Sequence, residues 1–321
     1  MRDSRVLMTT YPTAFLHRGG GEVELLGIFD SLKQLGVVVD LYGAHSLPLS
    51  RYDVVFHYSI VHSGLELVRE AKRAGKKLVL MPSIWWSSQP SEFDVSIADE
   101  FFALADKVVF KSKSEFDNVS QYVSIDDQKI TFCPWGVDSC YSAAVDENLF
   151  KDAYNLKSYV LWTGIIEESK NQLTAIKALK DLDTPVVFIG EYRDRKYYEA
   201  CVKVAPPHFL FLPSLQSKSE MLRSAVQNCS VFLEVSIEPA GLSALEAGLA
   251  GVPLVLSNNS WSKEHFGDSA TLVDPLSVDE IANAVARVIN TVASAGLREK
   301  IRAKHVLPQS LDSLVQALRI R

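Results

Sequence analysis

Short apolar segments recur along the first half of the chain, and each is followed by a longer segment with helical periodicity. Such segments, which lack alternation with polar residues, are typical of strands buried on both faces of a parallel sheet. In the helical segment 22–35, Val23, Leu26 and Phe29 share one face, and Gly36 supplies a C-terminal stop. The predicted strands of this half are 5–10, 37–42, 53–58, 77–82, 107–111 and 129–134. The alternation of strand and helix predicts a doubly wound α/β domain.

The same pattern restarts after residue 157 and predicts a second Rossmann-like half. Its strands are predicted at 158–163, 185–190, 208–212, 230–234, 253–257 and 269–273. The polar, irregular stretch 138–157 interrupts the rhythm, so we place the interdomain linker there. We therefore predict one domain at 1–145 and a second at 146–321, whose last helix is placed to cross back onto the first domain. The length of 321 residues agrees with two domains of about 150 residues each.

Composition narrows the class of protein. Hydrophobic residues make up 47% and charged residues 22%, which is typical of an ordered globular chain. The net charge is only -6, and the basic residues are not massed in one domain, so we expect no nucleic-acid partner. The four cysteines are spaced too irregularly for a zinc site or a redox pair. We interpret them as reduced thiols, which favours a cytoplasmic location.

Membrane contact, if the protein makes any, is expected to be peripheral. The first ten residues hold only a short apolar run, and no later stretch reaches spanning length. A basic run on a predicted helix is a candidate for contact with anionic lipid at the inner face of the membrane, although such runs are more often solvated. It consists of Arg69, Lys72, Arg73, Lys76 and Lys77.

The first candidate for chemistry is the loop that precedes the first helix. Gly19, Gly20 and Gly21 allow close approach of the backbone to a ligand, and the helix N-terminus offers free N–H groups to an anion. The spacing is not Gly-x-Gly-x-x-Gly, which argues against a dinucleotide-binding dehydrogenase. A phosphate site and a flexible loop capped by glycine fit this segment equally well.

The second candidate follows the predicted strand 230–234. Pro239 and Gly241 suit a helix entry, so the backbone amides of residues 240–242 are available to an anion such as a diphosphate. Glu238 stands at the mouth of this loop, and Glu246 lies two turns along the helix. The small residues at 247–251 allow that helix to pack closely, which a merely solvated helix does not need.

The third candidate is the segment from Gly164 to Lys170, again between a strand and a helix. A cation at a helix start is unfavourable to the helix dipole unless an anion offsets it. Lys170 is therefore either a ligand contact or a solvated side chain.

Together these segments resemble the family-four retaining GT-B glycosyltransferases, the glycosyl transferases group 1. The resemblance runs from about Val6 to Val292 and is strongest over 230–275. The matching motifs, in family order, are Gly20-Gly21-Glu22, Pro134-Trp135-Gly136-Val137-Asp138, Gly164…Lys170 and Glu238…Glu246.

The resemblance implies a fold, a reaction and a set of roles. Two Rossmann-like domains are expected to face a central cleft, and a hexose or related sugar is expected to pass, with retention of configuration, from a nucleotide-sugar donor to a glycan or lipid-linked acceptor, as in bacterial surface polysaccharide biosynthesis. Neither a metal nor a cofactor is expected, since the nucleotide sugar is a co-substrate. By the same implication Lys170 neutralises the donor diphosphate, Glu238 contacts the sugar and Glu246 binds the ribose. Phosphate and sugar are cradled by Gly20, Gly21, Ala240, Gly241 and Leu242.

Three positions depart from the family pattern. Ile165 stands where the family usually has an arginine, so a compensating cation is required, with Arg193 or Arg195 as candidates. Near Ser83 the usual histidine is missing, and Trp135 replaces an asparagine. After Ser83, Trp85 and Trp86 are candidates to stack on a sugar, with core packing equally open for one of them. These departures keep two alternatives open: a catalytically inactive GT-B binding or scaffold subunit, and a nucleotide-sugar epimerase.

Overall fold

Parallel strands form two separate sheets in the residues that the computed structural model describes, 4–16 and 19–319. The first sheet has the order β2-β1-β3-β4-β5-β6. Its strands are β1 Arg5–Thr9, β2 Val38–Leu41, β3 Val54–Tyr58, β4 Lys77–Met81, β5 Lys107–Phe110 and β6 Ile130–Phe132. Neighbours pair in parallel, as in the register of Val6 with Val54 and of Val54 with Lys77.

The second sheet has the order β12-β11-β10-β7-β8-β9, and its strand pairs are also parallel. Its strands are β7 Val160–Thr163, β8 Val186–Ile189, β9 Leu210–Leu212, β10 Val231–Glu234, β11 Leu254–Ser257 and β12 Thr271–Val273. The chain fills the sheet outward from β7 to β9 and then outward from β10 to β12. The strand order therefore reverses between β7 and β10, and ligands of such sheets bind at the carboxyl ends of strands at that point.

Each of the twelve predicted strand segments contains one of these strands, so the α/β, doubly wound prediction is confirmed. The observed strands are shorter than the predicted segments by one to three residues. All four residues of β8 and of β10 are buried, as expected for strands covered on both faces.

Helices connect the strands. They are α1 Gly20–Gln34, α2 Leu65–Arg73, α3 Glu92–Leu104, α4 Lys113–Val119, α5 Leu149–Ala153, α6 Gln172–Leu179, α7 Arg195–Val204, α8 Glu220–Gln227, α9 Leu242–Ala250, α10 Ser260–His265, α11 Val278–Val288, α12 Leu297–His305 and α13 Asp312–Leu318. Several begin at a side-chain cap: Ser91 Oγ accepts from the Asp94 amide at 3.1 Å, and Ser219 Oγ from the Leu222 amide at 3.2 Å.

The chain divides into two compact units, Met1–Gly136 with His305–Arg321, and Val137–Lys304. The first unit ends ahead of residue 145 because the 3-10 turn Ser139–Ser142 packs within the second unit, where Arg223 Nε donates to the Cys140 carbonyl at 2.9 Å. In the first unit, α13 buries Leu314 and Leu318 in the same core as Val6.

None of the helices in the described part of the chain is both long and apolar enough to cross a membrane. The basic run at 69–77 is engaged within the first unit. Arg69 Nε lies 2.7 Å from Glu100, Lys72 Nζ lies 2.8 Å from Asp106, Arg73 Nη1 lies 2.7 Å from Glu66, and Lys76 and Lys77 donate to the carbonyls of Tyr52 and Ala317. Much of the positive charge on this face is therefore already compensated.

Candidate functional site

The loops that follow β7 and β10 meet at the reversal point of the second sheet. The Ile237 amide donates to the Ser169 carbonyl at 2.9 Å. Asn171 adopts a left-handed conformation with φ 62°, and its Nδ2 donates to the carbonyls of Val235 (3.0 Å) and Pro275 (2.7 Å). These bonds tie the loop that carries Lys170 to the loop that carries Glu238.

A buried carboxylate holds Lys170 at this edge. Lys170 Nζ lies 3.3 Å from Oε1 of Glu234, the last residue of β10, and the two side chains are 19% and 2% exposed. Ser243 Oγ donates to Oε2 of Glu234 at 2.6 Å, and Ser236 Oγ donates to Oε1 at 3.3 Å. Burial raises the pKa of Glu234, while Lys170 and the two hydroxyls oppose that rise. The arrangement fixes the Lys170 ammonium at the sheet edge and leaves part of it accessible.

Helix α9 begins beside this pair. Gly241, at its N-cap, has φ 80° and ψ -147°, a conformation that favours glycine over every other residue. Among the described residues no side chain caps α9, and its first turn contains no acidic residue. The first-turn amides thus carry the partial positive charge of the helix N-terminus without a carboxylate of the helix to offset it.

Three charged side chains, Lys170, Glu167 and Arg193, interact electrostatically with Glu238. Burial raises the pKa of Glu238, Glu167 raises it further, and the cations of Lys170 and Arg193 lower it. Arg193 Nη1 pairs with Glu167 Oε2 at 3.2 Å. Two cations and two carboxylates therefore lie close to the start of α9, in addition to Glu234.

Glu246 lies on α9 in a second charged group. Burial raises its pKa to about 8, and repulsion from Glu234 and Asp138 contributes, whereas the neighbouring Tyr141 hydroxyl and Lys218 lower it. Lys218 Nζ is 2.9 Å from Asp138 Oδ2. Glu234 interacts with both groups, so the edge from Lys170 to Glu246 forms one connected set of charges.

The structure brings the predicted residues Lys170, Glu238 and Glu246 and the segment 240–242 together in the second unit. The predicted Gly20 and Gly21 lie in the first unit, as the first two residues of α1. There the Glu22 carboxylate accepts from the Gly19 amide at 2.7 Å and from the Tyr11 hydroxyl at 2.8 Å. Unlike α9, α1 therefore has a carboxylate at its N-terminus.

Glu234 is a member of the site that the sequence motifs did not indicate. It ends a strand whose other residues are apolar, and it is followed by Ser236 and, at the second position of the next helix, by Ser243. Burying a carboxylate at the end of a wholly buried strand costs free energy unless the carboxylate is paired. A glutamate in this position is therefore the feature of the sequence that indicates a buried ion pair.

The small residues of α9 allow close packing. A Cβ on Gly248 would stand 3.1 Å from Ile301 and 3.3 Å from Phe266, so Gly248 accommodates those side chains.

The first unit contains a second buried ion pair, at the carboxyl edge of its own sheet. Lys111 Nζ lies 3.1 Å from Glu24 Oε2, and the side chains are 5% and 6% exposed. Lys111 also donates to Ser83 Oγ at 2.9 Å, and Tyr58 Oη donates to Glu24 at 2.6 Å. Lys111 stands 4.2 Å from the centre of the Trp135 ring, so Trp135 serves as a cation–π partner here.

The two tryptophans after β4 have different surroundings. Trp86 packs against the hydrophobic core of the first unit and meets Tyr122 edge-on at 5.4 Å. Its backbone amide donates to Asn118 Oδ1, and its carbonyl accepts from Asn118 Nδ2. Trp85 is half-buried and is not a member of that core cluster in the described residues. Core packing thus accounts for Trp86, and stacking on a sugar stays a prediction for Trp85.

Comparison with known proteins shows which family the second unit resembles. Residues 147–304 match the family model of glycosyl transferases group 1. A 2-deoxystreptamine N-acetyl-D-glucosaminyltransferase from Niallia circulans is 28% identical over 141 residues, which are 41% of this chain and 36% of that relative. The chain thus matches only about a third of that relative's length.

Solved structures cover almost the whole chain. Anabaena HepE in complex with UDP and glucose superposes with a TM-score of 0.81 at 14% identity, covering 98% of this chain and 99% of HepE. Sucrose-phosphate synthase from Thermosynechococcus elongatus superposes with a TM-score of 0.80 at 16% identity, covering 97% and 98%. The chain therefore has the GT-B fold, and its second unit is similar to the glycosyl transferases group 1.

Proposed function

We propose that the chain is a metal-independent, retaining glycosyltransferase that moves a hexose or related sugar from a nucleoside diphosphate sugar to a glycan or lipid-linked acceptor. The observation that carries the proposal is Lys170, held by the buried Glu234 beside the N-terminus of α9 at the reversal point of the second sheet. The family match of residues 147–304 and the UDP bound in the similar HepE structure support it.

The leaving group is a nucleoside diphosphate, and its departure develops negative charge. Lys170 and the amides of Ala240, Gly241 and Leu242 stabilise that charge. Because Glu234 and the two serines already hold Lys170 in place, little reorganisation is needed at the moment of reaction. The nucleotide sugar is a co-substrate, and the proposal assigns no cofactor.

The transferred sugar and the ribose are bound by the two glutamates of α9 and its entry loop. Glu238 orients the sugar, and the Glu246 carboxyl forms hydrogen bonds with the ribose diol. The bond from the anomeric carbon to the diphosphate breaks while the acceptor oxygen bonds to the same face. The acceptor proton passes to the departing diphosphate, so configuration is retained without a protein nucleophile. Gly20 and Gly21 permit close approach of a ligand at the start of α1.

A lipid-linked acceptor places the reaction at the cytoplasmic face of a membrane, as in bacterial surface polysaccharide synthesis. Peripheral contact through the basic run at 69–77 is the weaker part of this proposal, because those side chains have partners within the first unit.

Thermal unfolding with UDP, GDP, ADP, CDP and dTDP tests the donor site. A nucleotide at about a hundred times its dissociation constant adds roughly 2.7 kcal/mol to the unfolding free energy. We expect one nucleotide to raise the melting temperature of the wild type, and Lys170→Ala and Glu246→Ala to lose that rise. Lys177→Ala, an exposed residue of α6, is the matched control. If no nucleotide shifts the melting temperature, the donor site is not functional.

That negative result would favour the alternative of an inactive GT-B scaffold subunit. Two observations motivate this alternative: Ile165 supplies no charge to the loop, and Lys170 is already paired with Glu234. A wild type that binds a nucleotide and releases it from the corresponding nucleotide sugar only in the presence of an acceptor would exclude the scaffold.

A further inference from the structure

A nucleoside diphosphate needs more positive charge than Lys170 supplies. Lys170 is paired with Glu234, and Glu238 and Glu167 add negative charge to the same environment. Bringing a diphosphate to this edge therefore requires another cation within reach, since charges of one sign in a partly buried site repel strongly.

Backbone geometry places Arg193 beside the loop that carries Lys170. The Gly164 amide donates to the Ile189 carbonyl at 2.9 Å, and the Ile166 amide donates to the Glu191 carbonyl at 2.8 Å. Ile166 and Tyr192 thus pair beyond the ends of β7 and β8, in parallel. This extension brings the next residue, Arg193, alongside the loop that leads to Lys170.

A glycine contact makes this extension possible. A Cβ on Gly190 would overlap the Gly164 carbonyl oxygen. The segments that follow β7 and β8 therefore approach this closely only because residue 190 has no side chain. Gly164 itself has φ 144°, a conformation that side chains rarely adopt. The backbone conformation that places Arg193 beside this loop therefore requires both glycines.

We propose that Arg193 is the second diphosphate-binding cation of this chain and that it exchanges Glu167 for a phosphate when the donor binds. The inference rests on the proposed function and deepens it. Arg193 Nη1 lies 3.2 Å from Glu167 Oε2, and 49% of the arginine side chain is exposed, so the pair is accessible and the guanidinium can move to a stronger anion. A planar guanidinium suits bidentate contact with phosphate oxygens.

Arg195, the other arginine after β8, has a different setting. It is in the first turn of α7, its side chain is 80% exposed, and its Nε pairs with Glu199 at 2.8 Å, one turn along the same helix. Its charge is not among those that act on Glu238, whereas that of Arg193 is. Arg195 is therefore the matched control.

Calorimetric titration of UDP and UMP into the wild type, Arg193→Ala, Arg195→Ala, Glu167→Gln and Lys170→Met tests the inference. We expect Arg193→Ala to weaken UDP binding at least about tenfold, the loss of a charge-assisted contact, and to weaken UMP binding less. Arg195→Ala should stay within about twofold of the wild type, because exposed ion pairs contribute little. Glu167→Gln should bind UDP at least as tightly as the wild type, because Arg193 is released.

The outcomes separate this inference from the proposed function. If the wild type binds UDP, Lys170→Met loses it, and Arg193→Ala binds as tightly as Arg195→Ala, the role of Arg193 is wrong while the donor site stands. An equal loss of UDP and UMP binding in Arg193→Ala, accompanied by a lower melting temperature, would also overturn it, because that pattern reports a structural role. If neither UDP nor its GDP, ADP, CDP and dTDP counterparts bind the wild type, both proposals fail.

Discussion

The two sheets of this molecule each hold a lysine–glutamate pair at their carboxyl edge, and the pairs differ in how completely they are enclosed. Lys111 and Glu24 in the first unit are 5% and 6% exposed, and Lys111 also contacts Ser83 and the Trp135 ring. Lys170 in the second unit is 19% exposed, while its partner Glu234 is 2% exposed. Lys111 is enclosed by the protein, whereas part of the Lys170 side chain is exposed.

The helices that begin beside the two pairs also differ in whether the protein satisfies their N-terminal amides. At the start of α1 the Glu22 carboxylate accepts from the Gly19 amide, whereas no side chain of the described residues caps α9. A site for an anion requires donors that the protein itself has not satisfied. A buried ion pair therefore does not by itself indicate a ligand site. An accessible cation with uncapped backbone amides beside it does.

Breaking the enclosed pair should have the largest effect, and the effect should be on stability. Glu24→Ala leaves Lys111 buried without its counter-ion, which costs about 3–5 kcal/mol of unfolding free energy. Urea denaturation followed by circular dichroism measures it. The double change Glu24→Leu with Lys111→Met should recover most of the loss, since apolar replacement of a whole buried pair is often neutral. A stable Glu24→Ala protein would contradict the comparison.

Breaking the open pair should affect ligand binding more than stability. Lys170→Met should weaken binding of a nucleoside diphosphate about a hundredfold, or roughly 2.7 kcal/mol, through loss of a charge-assisted contact. The loss of stability should be smaller than for Glu24→Ala, because Lys170 is partly exposed and Glu234 can take up a proton. Isothermal calorimetry and urea denaturation of the same samples compare the two effects, with Lys177→Met as the control. Equal losses in both assays would mean that the second pair is structural too.

Gly190→Ala tests whether the close approach of residues 164 and 190 supports the open pair. Because the new Cβ would overlap the Gly164 carbonyl, we expect a loss of about 1–3 kcal/mol of stability and weaker nucleotide binding. Gly43→Ala, where no atom lies within 4 Å of the added carbon, should leave both unchanged. Wild-type behaviour of Gly190→Ala in both assays would show that the extension beyond β7 and β8 does not matter.

The protonation of Glu246 should make stability depend on pH. Its folded pKa of about 8 is above the ordinary value of 4.5, so its contribution is fully present below the ordinary value and is lost as the pH rises through 8. Between about pH 5 and pH 9 the wild type should lose on the order of 1–2 kcal/mol more than Glu246→Gln, allowing for partial exposure. Denaturation at a series of pH values measures this. Parallel curves for the two proteins would show that Glu246 does not titrate in this range.

The smallest effect is expected from Gly20→Ala. An added Cβ meets no atom within 4 Å, so stability should be kept or should rise by about 0.5 kcal/mol. If a ligand approaches this backbone, the rate of sugar transfer should nevertheless fall severalfold. An unchanged transfer rate would remove Gly20 from the proposed site.

The fold was open to prediction because the central strands of both sheets are buried on both faces. An uninterrupted apolar run such as Val231 to Leu233 is best explained by a buried strand. The ends of such a strand are uncertain where a flanking residue such as Ser230 lies outside it. The unit boundary was harder, because Tyr141 and its neighbours are irregular in sequence yet pack in the second unit.

The site was predictable only in part. Lys170, Glu238 and Glu246 belong to motifs that lie within short segments. The partner of Lys170 is 64 residues away, and the partner of Lys111 is 87 residues away. No local pattern connects residues so far apart, since only the folded sheet brings them together. The sequence also presents Arg193 and Arg195 as equivalent. The folded chain distinguishes them by the pairing of Ile166 with Tyr192 and by the different carboxylates that the two arginines contact.

Hydrogen–deuterium exchange with and without a nucleoside diphosphate decides which of the two pairs lies at the ligand site. We expect UDP, or whichever nucleoside diphosphate binds, to protect the segments 164–170 and 235–246 of the second unit. Much smaller changes are expected around the enclosed pair, at 83–111. Protection centred on 83–111, or no difference between the two regions, would contradict the claim that the open pair is the ligand site.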